Sequence, residues 1–352
     1  MTEKNDTKQL IDRLEATRNL SRDEWIRLIQ NRTADDADYL FERAQAVRTR
    51  HYGRSVYIRG LIEFTNYCKN DCFYCGIRKS NRNANRYRLT KEQILSCCEM
   101  GYALGFRTFV LQGGEDGSFT DDRLTDIISS IRTRWRACAI TLSVGERSYE
   151  SYKRLYDAGA NRFLLRHETY DDTHYGKLPP PALSAARRKQ CLFDLKKIGY
   201  QVGTGFMVGS PYQTSENLAD DMLFLKELNP QMVGIGPFIP HHDTPFADQK
   251  AGSADLTLFL LGLIRLLLPK VLLPATTALG TIDSDGREKG ILAGANVIMP
   301  NLSPPQVREK YLLYDNKLCT GDEAAESLRS LKQRIQNIGY EITVSRGDSL
   351  NI

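Results

Sequence analysis

Tyr57-Ile58-Arg59-Gly60-Leu61-Ile62-Glu63-Phe64 is an apolar, β-branched-rich run, and it is followed closely by Cys68-Lys69-Asn70-Asp71-Cys72-Phe73-Tyr74-Cys75. Such a run suits a strand buried on both faces, as in a parallel sheet. A doubly wound open sheet would prefer a Gly-rich phosphate turn directly after its first strand. Cysteines occupy that position here. In a closed (β/α)8 barrel the same loop lies over the C-terminal mouth, where active sites are built. The expected fold is therefore α/β, a (β/α)8 TIM-type barrel.

The flanking sequence supports this choice. Further short apolar or β-branched runs occur at 108–111, 140–144, 162–165, 202–208, 232–239, 271–277 and 296–299, and the first spans 56–64. Between them lie helix-like stretches at 91–104, 121–135, 148–158, 184–198, 215–228 and 255–268. Alternation of this kind implies parallel strands joined by right-handed crossovers. Eight strands over about 245 residues match the usual barrel size of roughly 250. Ahead of the barrel, 12–29 and 34–51 carry helical periodicity, with Ser21 and Asp35 as expected caps. The tail reads as one closing helix over 323–338 and a short terminal strand. The expected organisation is an N-terminal helical segment (1–54), the barrel (55–320) and a C-terminal helix and tail (321–352). Pro179-Pro180-Pro181 reads as a stiff loop within the barrel.

Composition excludes several classes. The 352 residues are 41% hydrophobic and 26% charged, an ordinary globular balance. The longest apolar stretch, 256–274, is interrupted by Arg265, Pro269 and Lys270, so a buried helix running into a strand is expected and no membrane span. A formal charge of +5 is too dilute to imply nucleic acid by itself. The start, Met1-Thr2-Glu3-Lys4, lacks the apolar core of a secretory signal, and a cytoplasmic location is expected. In that setting eight cysteines point to a metal or a reactive thiol before a disulfide.

Cys68, Cys72 and Cys75 form C-x3-C-x2-C. Three thiolates on one tight loop can hold three corners of an iron–sulfur cubane, which is usually completed by a fourth cysteine. With three, one iron stays open to an exchangeable ligand. A structural zinc site would want a further closely spaced pair, and the sequence offers none. His241-His242-Asp243 lacks a third ligand signal and reads as a hydrogen-bonded loop. Cys97, Cys98, Cys138 and Cys191 sit in helix or strand contexts and read as packing thiols.

The cysteine spacing, with an aromatic before the third cysteine, resembles the radical S-adenosylmethionine (SAM) superfamily. That resemblance implies a 4Fe–4S cluster on Cys68, Cys72 and Cys75, with SAM on the open iron. Reductive cleavage of its sulfonium would give a 5′-deoxyadenosyl radical. It also implies roles for other residues. Tyr74 would pack near adenine, and the Gly113-Gly114-Glu115 backbone would receive the methionine amino group. Arg166 and Glu168 would serve the carboxylate and ribose hydroxyls, and Arg188 could reach the same carboxylate.

Longer stretches outside the SAM apparatus resemble the biotin synthase-like group, and within it the FeFe-hydrogenase maturases. They include Leu111-Gln112-Gly113-Gly114-Glu115-Asp116, Leu165-Arg166-His167-Glu168-Thr169, Pro274-Ala275-Thr276-Thr277-Ala278 and Asn296-Val297-Ile298-Met299-Pro300-Asn301. The implied substrate is a small organometallic or sulfur-containing molecule, an iron-bound cysteine synthon destined for the diiron subsite. HydG and HydF are the implied partner maturases, and ferredoxin or flavodoxin the implied reductant. Arg59, Gln112, Met232, Thr276, Thr277, Met299 and Tyr314 are the expected substrate contacts, with Tyr311 beside them over the mouth. One departure stands out. Where many such maturases carry a second cluster on C-x7-C-x2-C, this chain has Cys319, Ser327 and Ser330, so a single cluster is expected. The alternatives are a related radical SAM enzyme such as methylornithine synthase, and a carrier that merely binds an assembled cluster.

Overall fold

The computed structural model describes residues 6–180, 182–318 and 325–351. Three helices open the chain: α1 (Asp6–Thr17), α2 (Arg22–Gln30) and α3 (Ala34–Tyr52). The periodic run expected over 12–29 is two helices, because Arg18 turns left-handed (φ 58°) and Ser21 starts a new helix with a full capping box to Glu24. The cap of α3 is Thr33, paired with Asp36, and not the expected Asp35; Thr33 stands one residue before the first helical position, where its hydroxyl reaches the Asp36 amide.

Among the described residues eleven strands follow: β1 (Ser55–Ile58), β2 (Gly60–Thr65), β3 (Thr108–Gly113), β4 (Ala139–Ser143), β5 (Arg162–Leu164), β6 (Gln201–Thr204), β7 (Met207–Val208), β8 (Met232–Val233), β9 (Gly236–Pro237), β10 (Val297–Ile298) and β11 (Glu341–Thr343). Six of them, in the order β2-β3-β4-β5-β6-β8, make one parallel sheet. Single parallel bridges continue the wall from Met232 to Leu272, from Pro274 to Val297 and from Asn301 back to Leu61, and β10 pairs with β1. The wall thus closes as a TIM-type barrel. The first run is interrupted at Arg59: β1 turns to β10 and β11, while β2 joins β3. The terminal strand β11 runs parallel to β1 and fills the gap where β1 leaves β3.

The apolar stretch 256–274 is a helix, Ala254–Leu267, with every residue from Thr257 onward buried, leading into the bridged positions at 272–274. Among the described residues no helix is long and apolar enough to cross a membrane. One core cluster runs from Leu10 through the barrel to Tyr340, so N-terminal helices, barrel and tail share one interior. Cys97, Cys98, Cys138 and Cys191 belong to that core.

The tail also closes the N-terminal end of the barrel. Arg162, buried at the start of β5, donates to Asp348 (2.6 Å) and to the Arg346 carbonyl (2.9 Å). Thr108 donates to the same carbonyl (2.8 Å), and Gln231 reaches the Asn351 carbonyl (3.0 Å). With the floor sealed, access is left to the C-terminal mouth.

Candidate active site

The loop after β2 carries Cys68, Cys72 and Cys75, all free thiols and all partly buried. Its shape is held from several sides. Lys69 N–H donates to the Glu115 carbonyl (2.9 Å), Phe73 N–H to the Leu178 carbonyl (2.9 Å) and Gly76 N–H to the Leu313 carbonyl (2.8 Å). The Arg86 guanidinium donates to four carbonyls, those of Asn66, Ile77, Arg78 and Asn81, and so staples the loop's two ends. Asp71 accepts from Arg78 (2.7 Å) and Ser80 (2.6 Å). Burial would raise its carboxyl, but these donors outweigh that and hold it down to about 2.

The thiols oppose one another's ionisation. Burial, then the charge of Cys68, pushes the Cys72 thiol up to about 12, and Cys75 is raised for the same reasons. Three such groups on one loop become thiolates together only beside a strong positive centre. The donor set therefore fits an iron–sulfur cluster.

Around the loop the strand ends form a polar cradle. Gly114 follows β3 so closely that a Cβ there would stand 2.2 Å from the Tyr67 carbonyl oxygen and 2.8 Å from Cys68 Cβ. Glu115 is committed to the scaffold: its carboxylate pairs with Lys69 (3.1 Å) and accepts from Glu146 N–H (3.1 Å). After β5 the backbone of Glu168 adopts φ 68°, rare for a side chain larger than glycine, while its N–H donates to Gly205 (3.1 Å). Arg166 Nη2 and Glu168 Oε2 stand 3.3 Å apart without hydrogen-bond alignment. Both atoms, with Arg166 Nε, are buried and lack a hydrogen-bond partner. Buried polar atoms in this state call for a ligand. Arg188, at the start of the helix Ala185–Ile198, is anchored by Glu146 (2.8 Å) and the Tyr175 hydroxyl (3.3 Å). Burial disfavours its charge, yet Tyr175, Glu146 and Tyr74 raise it on balance. Tyr74 packs with Leu178, Met207, Phe238 and Phe246, and its phenol hydrogen-bonds Cys72. Tyr74, Gly113, Gly114, Glu115, Arg166, Glu168 and Arg188 thus gather around the cysteine loop.

The expected substrate contacts divide into two levels. Gln112, Thr276, Thr277 and Tyr314 lie towards the mouth. Gln112 hydrogen-bonds the buried Tyr311, and the Thr276 hydroxyl is buried without a partner. Arg59, Met232 and Met299 lie lower, at the β1–β2 break. There Arg59 Nη1 stands 2.7 Å from the Met232 sulfur, with Nε and Nη2 unpartnered. Full burial pushes the Arg59 guanidinium well down.

Long-range partners escaped the sequence. Glu63, inward on β2, pairs with Lys317 (2.7 Å) and accepts from Asn301 (2.9 Å), clamping the segment after β10 over the mouth. Beneath Arg166 and Glu168, His167 bridges Thr204 (2.9 Å) and Asp221 (3.2 Å) with no exposure. Burial disfavours charge on both members, lowering His167 to about 3 and raising Asp221, and the pair braces the turn from beneath. Asp315 does stand beside His241 and His242. Yet His242 Nδ1 is bonded to Asp315 (2.6 Å), His241 Nδ1 accepts from Asp243 N–H (3.1 Å), and the rings stack nearly parallel. In-plane lone pairs of stacked rings do not converge on one ion, and the segment is a hydrogen-bonded loop.

A parallel barrel with three thiols over its mouth and an unsatisfied polar cradle beside them defines a radical SAM enzyme. Residues 62–225 match the radical SAM superfamily. The chain is 45% identical over 300 residues to the FeFe-hydrogenase maturase subunit HydE of Thermotoga maritima, covering 85% of each. It is 29% identical to 3-methylornithine synthase of Methanosarcina acetivorans, covering 92% of this chain and 90% of that one. The crystal structure of methylornithine synthase (PylB) superposes with a TM-score of 0.84 at 26% identity, covering 95% of this chain and 97% of that one. The chain belongs to the HydE family of radical SAM enzymes, and membership of that superfamily implies SAM and a 4Fe–4S cluster.

Proposed function

We propose that this enzyme acts in FeFe-hydrogenase maturation, directing an adenosyl radical at an iron-bound cysteine synthon. The observation that supports its SAM chemistry best is the unsatisfied cradle of Arg166 and Glu168 beside the three thiols, in a chain with this kinship. When bound, the cluster supplies one electron to the SAM sulfonium, whose cleavage gives methionine and the 5′-deoxyadenosyl radical.

The chain's own residues then have separable tasks. Cys68, Cys72 and Cys75 would hold three irons of that cluster. The Gly113-Gly114 backbone, bare of side chains, admits the methionine amino group. Arg188, kept charged and aimed by Glu146 and Tyr175, takes the carboxylate; Arg166 and Glu168 take the ribose side, and Tyr74 packs on adenine. Gln112, Thr276, Thr277 and Tyr314 meet the substrate near the mouth. Lower down, Arg59 with its two free N–H-bearing atoms suits an anionic ligand, and Met232 and Met299 give it soft walls. The Glu63–Lys317 pair and Tyr311 keep bulk water from the radical.

The same pair bears on the alternative. An amino-acid substrate wants a free acid for its amine, whereas Glu63 is already paired with Lys317 and hydrogen-bonded by Asn301. This favours the maturase chemistry over a methylornithine-type reaction. We further propose one cluster per chain. Ser327 and Ser330 lie in a helical turn and the helix Leu328–Asn337, while Cys319 lies outside the described residues. HydG and HydF are the proposed partners, and the cytoplasm the proposed location.

Anaerobic incubation of reconstituted protein with SAM and dithionite tests the chemistry. 5′-Deoxyadenosine should appear, with an adenosylated product once the synthon is added. Silence with an intact cluster would leave a carrier.

A further inference from the structure

The cysteine loop is charged as well as metal-binding. Residues 68–88 hold six basic side chains against the single acid Asp71, so this loop alone carries +5, the formal charge of the whole chain. Part of that charge is internal: Arg78 pairs with Asp71, Lys69 with Glu115 and Arg88 with Asp116, and Arg86 is spent on carbonyls. Lys79 and Arg82 are different. Both are exposed, and so is Lys177 across the rim; among the described residues none of the three has an ion-pair partner. The acids on the same rim are occupied, Asp243 by Asn83 (2.8 Å) and Asp315 by His242 (2.6 Å).

An aromatic step lies within this basic rim. Tyr212 is 58% exposed, more than any other large apolar side chain among the described residues, and its backbone stands at φ 67°. Lys177 sits over its ring. Tyr212 contacts Phe246 edge-on (6.3 Å between centroids), and Phe246 contacts Phe73 (6.0 Å), the residue after Cys72. A strained, exposed aromatic with a cation over its ring, on a rim that also carries exposed Lys79 and Arg82, is a contact surface with a chemical preference.

We infer that this rim, centred on Tyr212 with Lys79, Arg82 and Lys177, docks a small acidic one-electron carrier protein that reduces the cluster. The inference rests on the radical SAM reading above, in which the cluster accepts one electron per cleavage. Free cations steer an acidic partner to the face nearest the cysteines, and the aromatic patch gives the short-range contact.

The test uses reconstituted holoenzyme, wild type and Lys79→Glu/Arg82→Glu/Lys177→Glu, and measures 5′-deoxyadenosine. Each is driven in parallel by dithionite and by photoreduced flavodoxin. At low salt the triple variant should lose roughly 10-fold or more of the flavodoxin-driven rate, the scale of electrostatic steering, and keep the dithionite rate. Added NaCl should slow the wild type steeply and the variant little. Tyr212→Ser should slow only the flavodoxin arm. An unchanged flavodoxin rate in the triple variant would overturn the docking assignment, as would equal loss in both arms. A wild type silent even with dithionite would instead remove the radical SAM reading beneath it.

Discussion

Glu168 combines a left-handed backbone with a buried, unpartnered carboxylate oxygen, a costly pair of features to maintain without a ligand. His167 beneath it, locked between Thr204 and Asp221, fixes the turn that aims it. Glu168→Gln keeps shape and removes charge. A hydrogen bond to a charged group is worth about 1.5–3 kcal/mol, so KM for SAM should rise at least about tenfold with the melting temperature unchanged. An unchanged KM would place SAM elsewhere. Gly114→Ala tests the cradle differently. Its Cβ would meet the Tyr67 carbonyl at 2.2 Å, so the loop must shift. Iron content after reconstitution and SAM binding should both fall while far-UV circular dichroism stays native.

Elements whose role follows from periodicity or composition could be read ahead of the structure; those joined by single distant residues could not. The strand–helix alternation and the apolar 256–274 run carry many residues of consistent pattern, and the barrel follows from them. The loop with Cys68, Cys72 and Cys75 points to its chemistry through its spacing and the aromatic before its third cysteine, by resemblance to a known family. Nothing comparable marks Lys317 as the partner of Glu63, Asp221 as the partner of His167, or Asp348 as the partner of Arg162. Each is one polar residue among many, and only the closed barrel brings them together. The break at Arg59 was hidden for a related reason, since β11 arrives from the far end of the chain to pair with β1. The floor seal makes two predictions. Asp348→Asn should cost about 1–3 kcal/mol in chemical denaturation, because the buried Arg162 loses its charged acceptor. Burial raises the Asp348 carboxyl, but Arg162, Arg346 and Gln201 outweigh that and lower it from 3.8 to about 2. A depressed carboxyl stabilises the fold above its unfolded value and loses that contribution as pH falls through the folded one. The difference between wild type and Asp348→Asn should therefore be full at pH 5 and shrink below about pH 4. Leu263→Ala, at a fully buried position of the helix Ala254–Leu267, should cost about 2–5 kcal/mol and leave the acid profile unaltered.

At the scale of the whole molecule the barrel divides labour by level. The tail seals the floor, Arg59 and Met232 form a lower polar and soft layer, the strand ends form the polar cradle proposed for SAM, and the cysteine loop lies at the rim. One cluster at that rim is the central claim, and it is tested most directly by iron content and 5′-deoxyadenosine formation measured together on anaerobically reconstituted wild type and Cys72→Ala. The wild type should carry about four irons per chain, the content of one cubane, and form 5′-deoxyadenosine with SAM and dithionite. Cys72→Ala should lose both. Clearly more iron in the wild type, or turnover that survives in Cys72→Ala, would contradict it.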